Sequence, residues 1–378
     1  MRRRSAHGPT PRAAVNAPLV AVSVALTLVS GGCAVQRSSS TYSAGSTAAA
    51  SSSAGGAAAS SSAGGAAVMD DHSAHMSAAD RAAPSGVAAG ASQQGIAGLP
   101  PSARTAAARL AATPRHGEWV KIAWESGSSD SLMAWIVYPK SSAKAPVVVV
   151  VHEIFGLSTW VRGVADQAAA DGFIAIAPDF LSRVRGGPSS IELPADTARR
   201  LIAGVDAAER NRAIVAAANY AMMQPAAVAK YAVFGYCWGG QTTFMHAVHG
   251  GVKGFVGGVA YYGLPYMTGG SPATATAAAV PASVNADSIA KIKVPMVLLN
   301  GSKDARIAAA MPQLDSIMKA KGKTYIGVNY EGAVHGFLRA QDDPKAQRDE
   351  AEEAANLAAT KDAWPRTLAF LRQHLGVK

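Results

Sequence analysis

Five consecutive valines, residues 147–151, follow Pro146 and constrain the fold more than any other feature of this chain. A strand that is apolar on both faces belongs inside a parallel sheet, because helices cover both sides of such a sheet. A helix-compatible segment at 157–170 and a second apolar strand at 173–177 come next. This order of strand, helix and strand predicts an α/β fold with a mostly parallel central sheet and helices on both faces.

The same alternation continues over most of the chain after residue 115. Further strands are predicted at 118–124, 132–138, 231–234, 255–261, 294–299 and 324–330. Further helices are predicted at 205–223, 309–321 and 364–374. Residues 263–288 interrupt the alternation with a long stretch rich in Ala, Thr and Pro, which we expect to form a surface insertion.

The N-terminal part of the chain has a different composition. Residues 1–33 combine a basic start, an apolar stretch at 17–29 and small residues before Cys33, a pattern typical of an export signal. The apolar stretch is too short for a comfortable membrane span. Residues 34–114 are rich in Ser, Ala and Gly and predict a flexible tether. We therefore expect one folded domain over residues 115–378.

The net charge of +10 does not indicate a nucleic-acid partner. Residues 1–115 hold nine of the 35 Lys and Arg residues but three of the 25 Asp and Glu residues, so most of the excess lies outside the predicted domain. No basic stripe interleaved with aromatic residues is evident in the sequence. The expected partners are a small-molecule substrate and a membrane that is contacted only through a lipid anchor at the N-terminus.

The chain has two cysteines in different settings. Cys33 follows three small residues and resembles the lipidated cysteine of a bacterial lipoprotein, although Ser30 stands where that motif prefers Leu. Lipidation of Cys33, or simple cleavage and release, predicts an exported protein that is periplasmic or held at a membrane. Cys237 then has no disulfide partner within the chain, and its thiol is either a small buried hydrophobe or a reactive group.

Cys237 lies in the hexapeptide GYCWGG, residues 235–240, between a predicted strand and a helix-compatible segment. A Gly-x-Cys-x-Gly pattern in this position predicts a nucleophile elbow, the sharp turn that lifts a nucleophile to the carboxyl edge of a sheet. Small residues are needed two positions before and after the nucleophile because the chains pack closely there. The N-terminus of the following helix favours a thiolate, and the backbone N–H of Trp238 would face the developing oxyanion.

Two polar residues follow later strands in the order that an elbow of this kind requires. Asp304 lies in the loop after the predicted strand 294–299, and His335 lies in the loop after the predicted strand 324–330. His335 can take the proton of the Cys237 thiol and later protonate the leaving group, while Asp304 orients the imidazole and stabilises its charged form. The order nucleophile, acid and histidine predicts a Cys-His-Asp triad.

From about residue 120 to its C-terminus, the chain resembles the dienelactone hydrolases, also called carboxymethylenebutenolidases. Besides the elbow, the resemblance lies in the motifs HEIFG at 152–156, Pro-Asp at 178–179, YYG at 261–263 and HGFLR at 335–339. It implies the α/β-hydrolase fold and a hydrolase that needs no cofactor. His152 departs from the family's Gln and the 263–288 segment is long, so the resemblance leaves the natural substrate open.

The resemblance also implies roles for residues outside the triad. Glu153 matches a glutamate that contacts the resting thiol and takes part in its activation; a salt bridge to a basic residue is the alternative. The backbone N–H of Ile154 would complete the oxyanion hole. Arg339 and, in a looser match, Arg183 correspond to arginines that bind the substrate carboxylate through paired hydrogen bonds, with a solvated arginine as the alternative for Arg183. Tyr262 lines the pocket or packs in the core.

These features predict a hydrolase that cleaves a carboxylate-bearing ester or lactone through an acyl-enzyme. Acyl transfer or thioester cleavage by the same residues is one alternative, and an anchored binding module without turnover is another. No metal site is predicted in the domain. His72, His75 and Met76, within the tether, are either solvated linker residues or a weak site for a soft metal such as copper.

Overall fold

The computed structural model describes residues 95–125, 127–189, 193–270, 274, 279–342 and 349–377. The predicted export signal with Cys33 and most of the predicted tether, with His72, His75 and Met76, lie outside these residues. The strands of the described part are β1 (Gly117–Ala123), β2 (Ser131–Val137), β3 (Ala145–Val151), β4 (Ile174–Pro178), β5 (Ala227–Tyr236), β6 (Phe255–Tyr261), β7 (Met267–Thr268), β8 (Ser283–Val284), β9 (Met296–Gly301) and β10 (Tyr325–Tyr330).

Eight of these strands form one sheet in the order β1-β2-β4-β3-β5-β6-β9-β10. The valine-rich strand β3 lies in its middle, parallel to β4 and β5, and all seven of its residues are buried. The sheet is parallel from β4 to β10, whereas β2 runs antiparallel to both β1 and β4. The predicted α/β fold with a mostly parallel central sheet is confirmed, and burial on both faces explains the unbroken run of valines.

Helices connect the strands and cover the sheet. They are α1 (Ala106–Ala111), α2 (Thr159–Ala170), α3 (Ser182–Arg185), α4 (Ala195–Ala203), α5 (Ala207–Met222), α6 (Trp238–His249), α7 (Ala286–Ala290), α8 (Ala305–Ala320) and α9 (Glu350–Leu375). Side chains cap several of them: Ser158 accepts a backbone N–H at the start of α2, and Asp304 does so at the start of α8. The cap of α8 matters for function because Asp304 is one of the predicted site residues.

The segment that contains α1 packs against the rest of the fold. Trp160 of α2 donates its indole N–H to the carbonyl of Pro101 at 2.8 Å. The backbone N–H of Ala103 donates to the carbonyl of Arg339 at 2.9 Å. Pro101 is buried, as is Ala106 of α1. The described last part of the segment predicted as a tether therefore buries side chains against α2.

The C-terminal helix is longer than predicted. The sequence indicated a helix at 364–374, but α9 starts at Glu350 and contains Pro365 in its interior. A proline normally breaks a helix because it lacks a backbone N–H and its ring clashes with the preceding turn. Here tertiary packing outweighs that cost, since Trp364 and Leu371 are fully buried on the inner face of α9.

The predicted insertion at 263–288 contains regular structure in its described residues. β7 and β8 pair antiparallel as a separate two-stranded sheet, and α7 begins before the insertion ends. Asn285 caps α7 by accepting the N–H of Ser288 at 2.9 Å. Among the helices that the structure describes, none is long and apolar enough to cross a membrane.

Candidate active site

Cys237 lies at the turn between β5 and α6 and has a backbone φ of 56°. Among the described residues other than glycine, only Cys237 and Tyr262 have a positive φ. Such sparsely populated conformations persist only where the surrounding structure enforces them, and they cluster at functional sites. The Cys237 side chain is buried at the carboxyl end of β5, next to the first turn of α6. This is the strand, turn and helix that the elbow pattern predicted.

Glycines permit this turn because three backbone segments meet around it. A Cβ on Gly235 would overlap the carbonyl of Gly239. A Cβ on Gly239 would lie 2.6 Å from the carbonyl oxygen of His152, and one on Gly240 would lie 2.7 Å from that of Tyr261. The close approaches therefore hold Cys237 against the carboxyl ends of β3 and β6 as well as that of β5.

His335 and Asp304 form a buried pair beside Cys237. Nδ1 of His335 lies 2.6 Å from Oδ2 of Asp304, and their side chains are 4% and 1% exposed. The other carboxylate oxygen of Asp304 accepts the backbone N–H of Ile307 at 3.4 Å, which anchors the acid to the start of α8. A short bond to a carboxylate fixes both the orientation of the imidazole and the proton on Nδ1.

The electrostatic surroundings of His335 favour its charged form. Burial alone would lower the pKa of His335, but the interaction with Cys237 and the hydrogen bond to Asp304 raise that pKa well above its ordinary value. Nε2 of His335 is buried, and apart from its interaction with Cys237 it has no hydrogen-bond partner within the described residues. This nitrogen is therefore placed to exchange a proton with the thiol.

Glu153 and Arg339 form an ion pair within the same region. Nε of Arg339 lies 3.1 Å from Oε2 of Glu153, and the two side chains are 5% and 3% exposed. The Arg339 guanidinium also lies 5.6 Å from the ring centroid of Phe155. Glu153 therefore forms the salt bridge that was the alternative to its role at the thiol. Its basic partner is Arg339, which was itself predicted to bind the substrate carboxylate. A charge pair this deeply buried holds both groups in place because neither tolerates the loss of its partner.

The two predicted oxyanion-hole residues flank Cys237. Ile154 follows Glu153 in the loop after β3, and Trp238 is the first residue of α6. Backbone N–H groups in the first turn of a helix have no partner within the helix, so the Trp238 N–H is suited to bind a negatively charged oxygen. Both side chains are nearly fully buried, which excludes water from their surroundings.

Tyr262 lies at the centre of the cluster. Its φ is 38°, and its ring centroid is 5.0 Å from that of His335. Its pKa is raised well above the ordinary value by burial first and then by the nearby Glu153 and Tyr236, against a smaller opposing effect of Arg339. Its hydroxyl is buried without a hydrogen-bond partner among the described residues. The strained backbone thus directs Tyr262 into the site, where its ring packs against the imidazole.

The sequence model of the dienelactone hydrolase family matches residues 132–375. The chain belongs to this family. A carboxymethylenebutenolidase of Escherichia coli (strain K12) is 26% identical over 289 residues, which cover 74% of this chain and 97% of that relative. A Bradyrhizobium protein named as a 2-oxo-3-(5-oxofuran-2-ylidene)propanoate lactonase is 26% identical over 270 residues, 68% of this chain and 94% of its own.

A dienelactone hydrolase from Klebsiella pneumoniae has a similar crystal structure. Its TM-score is 0.52 at 25% sequence identity, and the similar region covers 68% of this chain and 99% of that one. The resemblance found in the sequence is therefore confirmed, together with the α/β-hydrolase fold. This member of the dienelactone hydrolase family is a hydrolase of the class that acts on ester and lactone bonds.

Arg183 lies apart from the cluster around Cys237. Its guanidinium forms ion pairs with Asp130 and Glu209, the latter at 2.7 Å, and lies 4.2 Å from the ring centroid of Trp124. The carboxylates raise the pKa of Arg183 through hydrogen bonds, that of Asp130 being the strongest effect. The structure thus brings together all the predicted domain site residues except Arg183, whose donors are directed to protein carboxylates.

Sequence reasoning missed a second arginine near the nucleophile. Arg210 of α5 is 4% exposed, and its guanidinium lies 4.3 Å from the ring centroid of Trp238. Burial lowers the pKa of Arg210 to about 10. The buried residues of α5 recur at helical spacing and include position 210, so the apolar periodicity of α5 was a signal that could have found it.

Metal ligands do not cluster in the described residues: no group of three or more His, Cys, Asp or Glu side chains is placed to hold an ion. The side chains of Cys237, His335, Asp304 and Glu153 instead bring together a thiol, an imidazole and two carboxylates with different partners. Such a set can transfer an acyl group by nucleophilic attack and proton exchange.

Proposed function

We propose that this protein hydrolyses an ester or lactone that carries a carboxylate, with Cys237 as nucleophile, His335 as general base and acid, and Asp304 as its orienting partner. The observation that carries the proposal is the buried His335–Asp304 pair beside the strained Cys237 turn. A thiol in an elbow is activated when the neighbouring imidazole takes its proton, and Asp304 stabilises the charged form of His335 that results.

In the acylation step, Sγ of Cys237 attacks the carbonyl carbon and its proton passes to Nε2 of His335. The negative charge moves to the carbonyl oxygen, where the N–H groups of Ile154 and Trp238 donate to it. The C–O bond to the leaving alkoxide then breaks, and His335 returns the proton to that oxygen. In a lactone the leaving oxygen stays attached to the acyl group, so ring opening and acylation are one step.

Water completes the reaction. His335, neutral again, takes a proton from water as the oxygen attacks the thioester carbon, and collapse of the second tetrahedral intermediate expels the Cys237 thiolate. The buried position of the pair Asp304 and His335 supports this step, because an imidazolium in a site that excludes water is stabilised by its carboxylate partner.

The Glu153–Arg339 pair supports the choice of a carboxylate-bearing substrate. A substrate carboxylate of the right reach can take the place of Glu153 on the guanidinium and keep an opposite charge beside it, which a neutral substrate cannot do. Glu153 is then released from the guanidinium and takes part in the activation of the thiol, whose proton goes on to His335. The compound in the name of the similar Bradyrhizobium lactonase is a lactone that carries a carboxylate, since its furanone ring is attached to a propanoate.

The test is hydrolysis of matched activated esters and lactones with and without a carboxylate. We expect the wild type to prefer the carboxylate-bearing compounds, and Cys237→Ala to lose turnover while retaining their binding. Arg339→Met should raise KM for the charged compounds by about 30-fold or more and leave the neutral ones nearly unchanged. Full activity in Cys237→Ala would exclude the thiol mechanism, and turnover that transfers the acyl group to an added alcohol or amine in preference to water would identify an acyltransferase.

We also propose that the protein is exported and anchored by lipid at Cys33. The basic start, the apolar stretch at 17–29 and the small residues before Cys33 support this. Cells that express the full chain with labelled fatty acid should incorporate the label, and Cys33→Ser should abolish it. Absence of label in the wild type, with the protein free in the periplasm, would favour simple cleavage.

A further inference from the structure

The His152 side chain forms hydrogen bonds with two loops, the predicted oxyanion loop after β3 and the loop after β4. It is fully buried at the carboxyl end of β3. Its Nδ1 lies 2.7 Å from the carbonyl oxygen of Glu153, and the backbone N–H of Phe180 donates to its Nε2 at 3.2 Å. Neither contact involves the Cys237, His335 and Asp304 side chains that carry the proposed reaction.

The two partners of the His152 ring determine its tautomer. A backbone N–H can only donate, so Nε2 must present a lone pair to Phe180. A carbonyl oxygen can only accept, so Nδ1 must carry the proton and donate it to Glu153. Burial lowers the pKa of His152 to about 4, so the ring is neutral in the pH range where a cysteine nucleophile works. His152 is therefore a fixed donor on one side and a fixed acceptor on the other.

The carbonyl of Glu153 and the N–H of Ile154 belong to one peptide unit. A hydrogen bond to the carbonyl holds the plane of that peptide and polarises it, which makes its N–H a stronger donor. The Ile154 N–H is one of the two donors assigned to the oxyanion. The donor on Nδ1 of His152 therefore acts on the oxyanion hole through a single rigid amide.

The His152 ring also contacts the residue that supplies the second donor. The imidazole stacks on the Trp238 indole with 5.8 Å between ring centroids and 11° between planes. Phe180 packs edge-on against both rings, at 5.1 Å from each. One side chain thus touches both the peptide that contains the Ile154 N–H and the side chain of Trp238.

We propose that His152 is a positioning residue that sets the orientation and strength of the oxyanion hole through the Glu153–Ile154 peptide. The inference rests on the proposed function, because it assumes that the Ile154 and Trp238 N–H groups bind the oxyanion of an acyl-transfer reaction.

The experiment compares three full-length proteins in a Cys33→Ser background, where Cys237 is the one thiol. His152→Gln can accept from Phe180 through its amide oxygen and donate to Glu153 through its amide nitrogen. His152→Phe keeps an aromatic ring against Trp238 but removes both hydrogen bonds. Each protein is assayed for kcat and KM on the best ester and for the rate of Cys237 alkylation by iodoacetamide, which forms no oxyanion.

We expect His152→Phe to lower kcat by about 10- to 100-fold with KM and the alkylation rate within about twofold of the wild type. His152→Gln should restore kcat to within about threefold, because it replaces both hydrogen bonds. Unchanged kcat in His152→Phe, or alkylation slowed in proportion to kcat, would overturn the inference. A wild type that is alkylated at Cys237 but hydrolyses no ester would instead refute the proposed function.

A measurement on the unmodified protein covers the case in which His152→Phe does not fold. The ¹⁵N shifts of a histidine-labelled sample identify the tautomer of each neutral imidazole, and His152→Gln assigns the signal. The proposal requires a neutral Nδ1–H ring at pH 7. An Nε2–H tautomer would mean that the Glu153 carbonyl receives no proton from His152, and the inference would be wrong.

Discussion

Glu153 and Arg339 each place a charge where water cannot reach it. An ion taken out of water is costly on its own, and the opposite charge at 3.1 Å compensates much of that cost. Removal of either side chain leaves the other charged and buried. The pair is therefore expected to matter more for stability than a salt bridge of the same length at the surface.

The first prediction is a double-mutant cycle on this pair. Glu153→Gln and Arg339→Met should each lower the free energy of unfolding by about 3 kcal/mol, because each removes the opposite charge at 3.1 Å from a buried ion. The double variant should lose clearly less than the sum of the two. Urea unfolding measures all three values. As a control, Lys303→Met breaks an ion pair with Glu352 in which Lys303 is 45% exposed, and it should leave the free energy of unfolding nearly unchanged. Additive losses would contradict the coupling.

At the scale of elements, the turn from β5 to α6 depends on glycines that pack backbone against backbone. Gly239→Ala would force a Cβ to within 2.6 Å of the His152 carbonyl, which a rigid strand end cannot avoid. We predict a loss of at least about 2 kcal/mol in unfolding free energy and a large loss of esterase activity. Gly187→Ala is the matched control, since a Cβ there meets nothing within 4 Å. Equal stability of both variants would contradict the packing argument.

The segment around α1 is an element that the prediction assigned to the tether. Deletion of residues 1–94 should leave stability and activity unchanged, whereas deletion of residues 1–114 removes buried Leu99 and Ala106 and the contacts of Pro101. That longer deletion should cost on the order of 3 kcal/mol by thermal or urea unfolding. Trp160→Phe, which removes one hydrogen bond to Pro101, should cost about 1 kcal/mol. If deletion of residues 1–114 leaves the stability unchanged, the segment around α1 does not contribute to it.

At the scale of the whole molecule, buried titrating groups set the dependence of stability on pH. Burial lowers the pKa of His152 to about 4 and that of His246 to about 3. Both are below the ordinary value, so the unfolded chain binds more protons and stability is lost as pH falls from about 6.5. Burial raises the pKa of Asp179 to about 6, which acts in the opposite direction.

The sizes of these opposing effects determine whether acidification raises or lowers the free energy of unfolding. Between pH 7 and pH 5, each histidine should lower the free energy of unfolding by about 2 kcal/mol, and Asp179 should raise it by about 1 kcal/mol. We therefore predict net destabilisation on acidification. His246→Gln, which can still bond to Tyr231 and Asn211, should reduce the drop by about 2 kcal/mol. Urea unfolding at the two pH values tests this, and an equal drop in variant and wild type would rule out His246 as a source.

Much of the architecture was predictable because its signals are local. Five valines in a row indicate a strand buried on both faces, and the glycines around Cys237 indicate a turn that only small residues allow. His335 and Asp304 follow from the same rule, since loops after parallel strands meet at one edge of the sheet. Each of these inferences needs only the period of a strand or the chemistry of a turn.

Other features depend on contacts that no local pattern contains. The pairing of Glu153 with Arg339 joins two loops far apart in the chain, and the partners of Arg183 come from two further elements. A charged side chain has several candidate partners in a sequence, and only tertiary packing selects one. The continuity of α9 from Glu350 through Pro365 has a related cause, because burial of the inner face of the helix outweighs the cost of an interior proline.

The hydrogen bond from Ala103 to the Arg339 carbonyl gives the molecule a mechanical property. A force applied to the chain before Gly95 acts on the segment that contains α1. This segment is hydrogen-bonded to the loop that contains Arg339 and Gln341. Gln341 donates to the carbonyl of Pro100 at 3.0 Å, so the same loop carries a second fastening. Tension along the N-terminal part of the chain is therefore delivered first to the loop that positions the guanidinium.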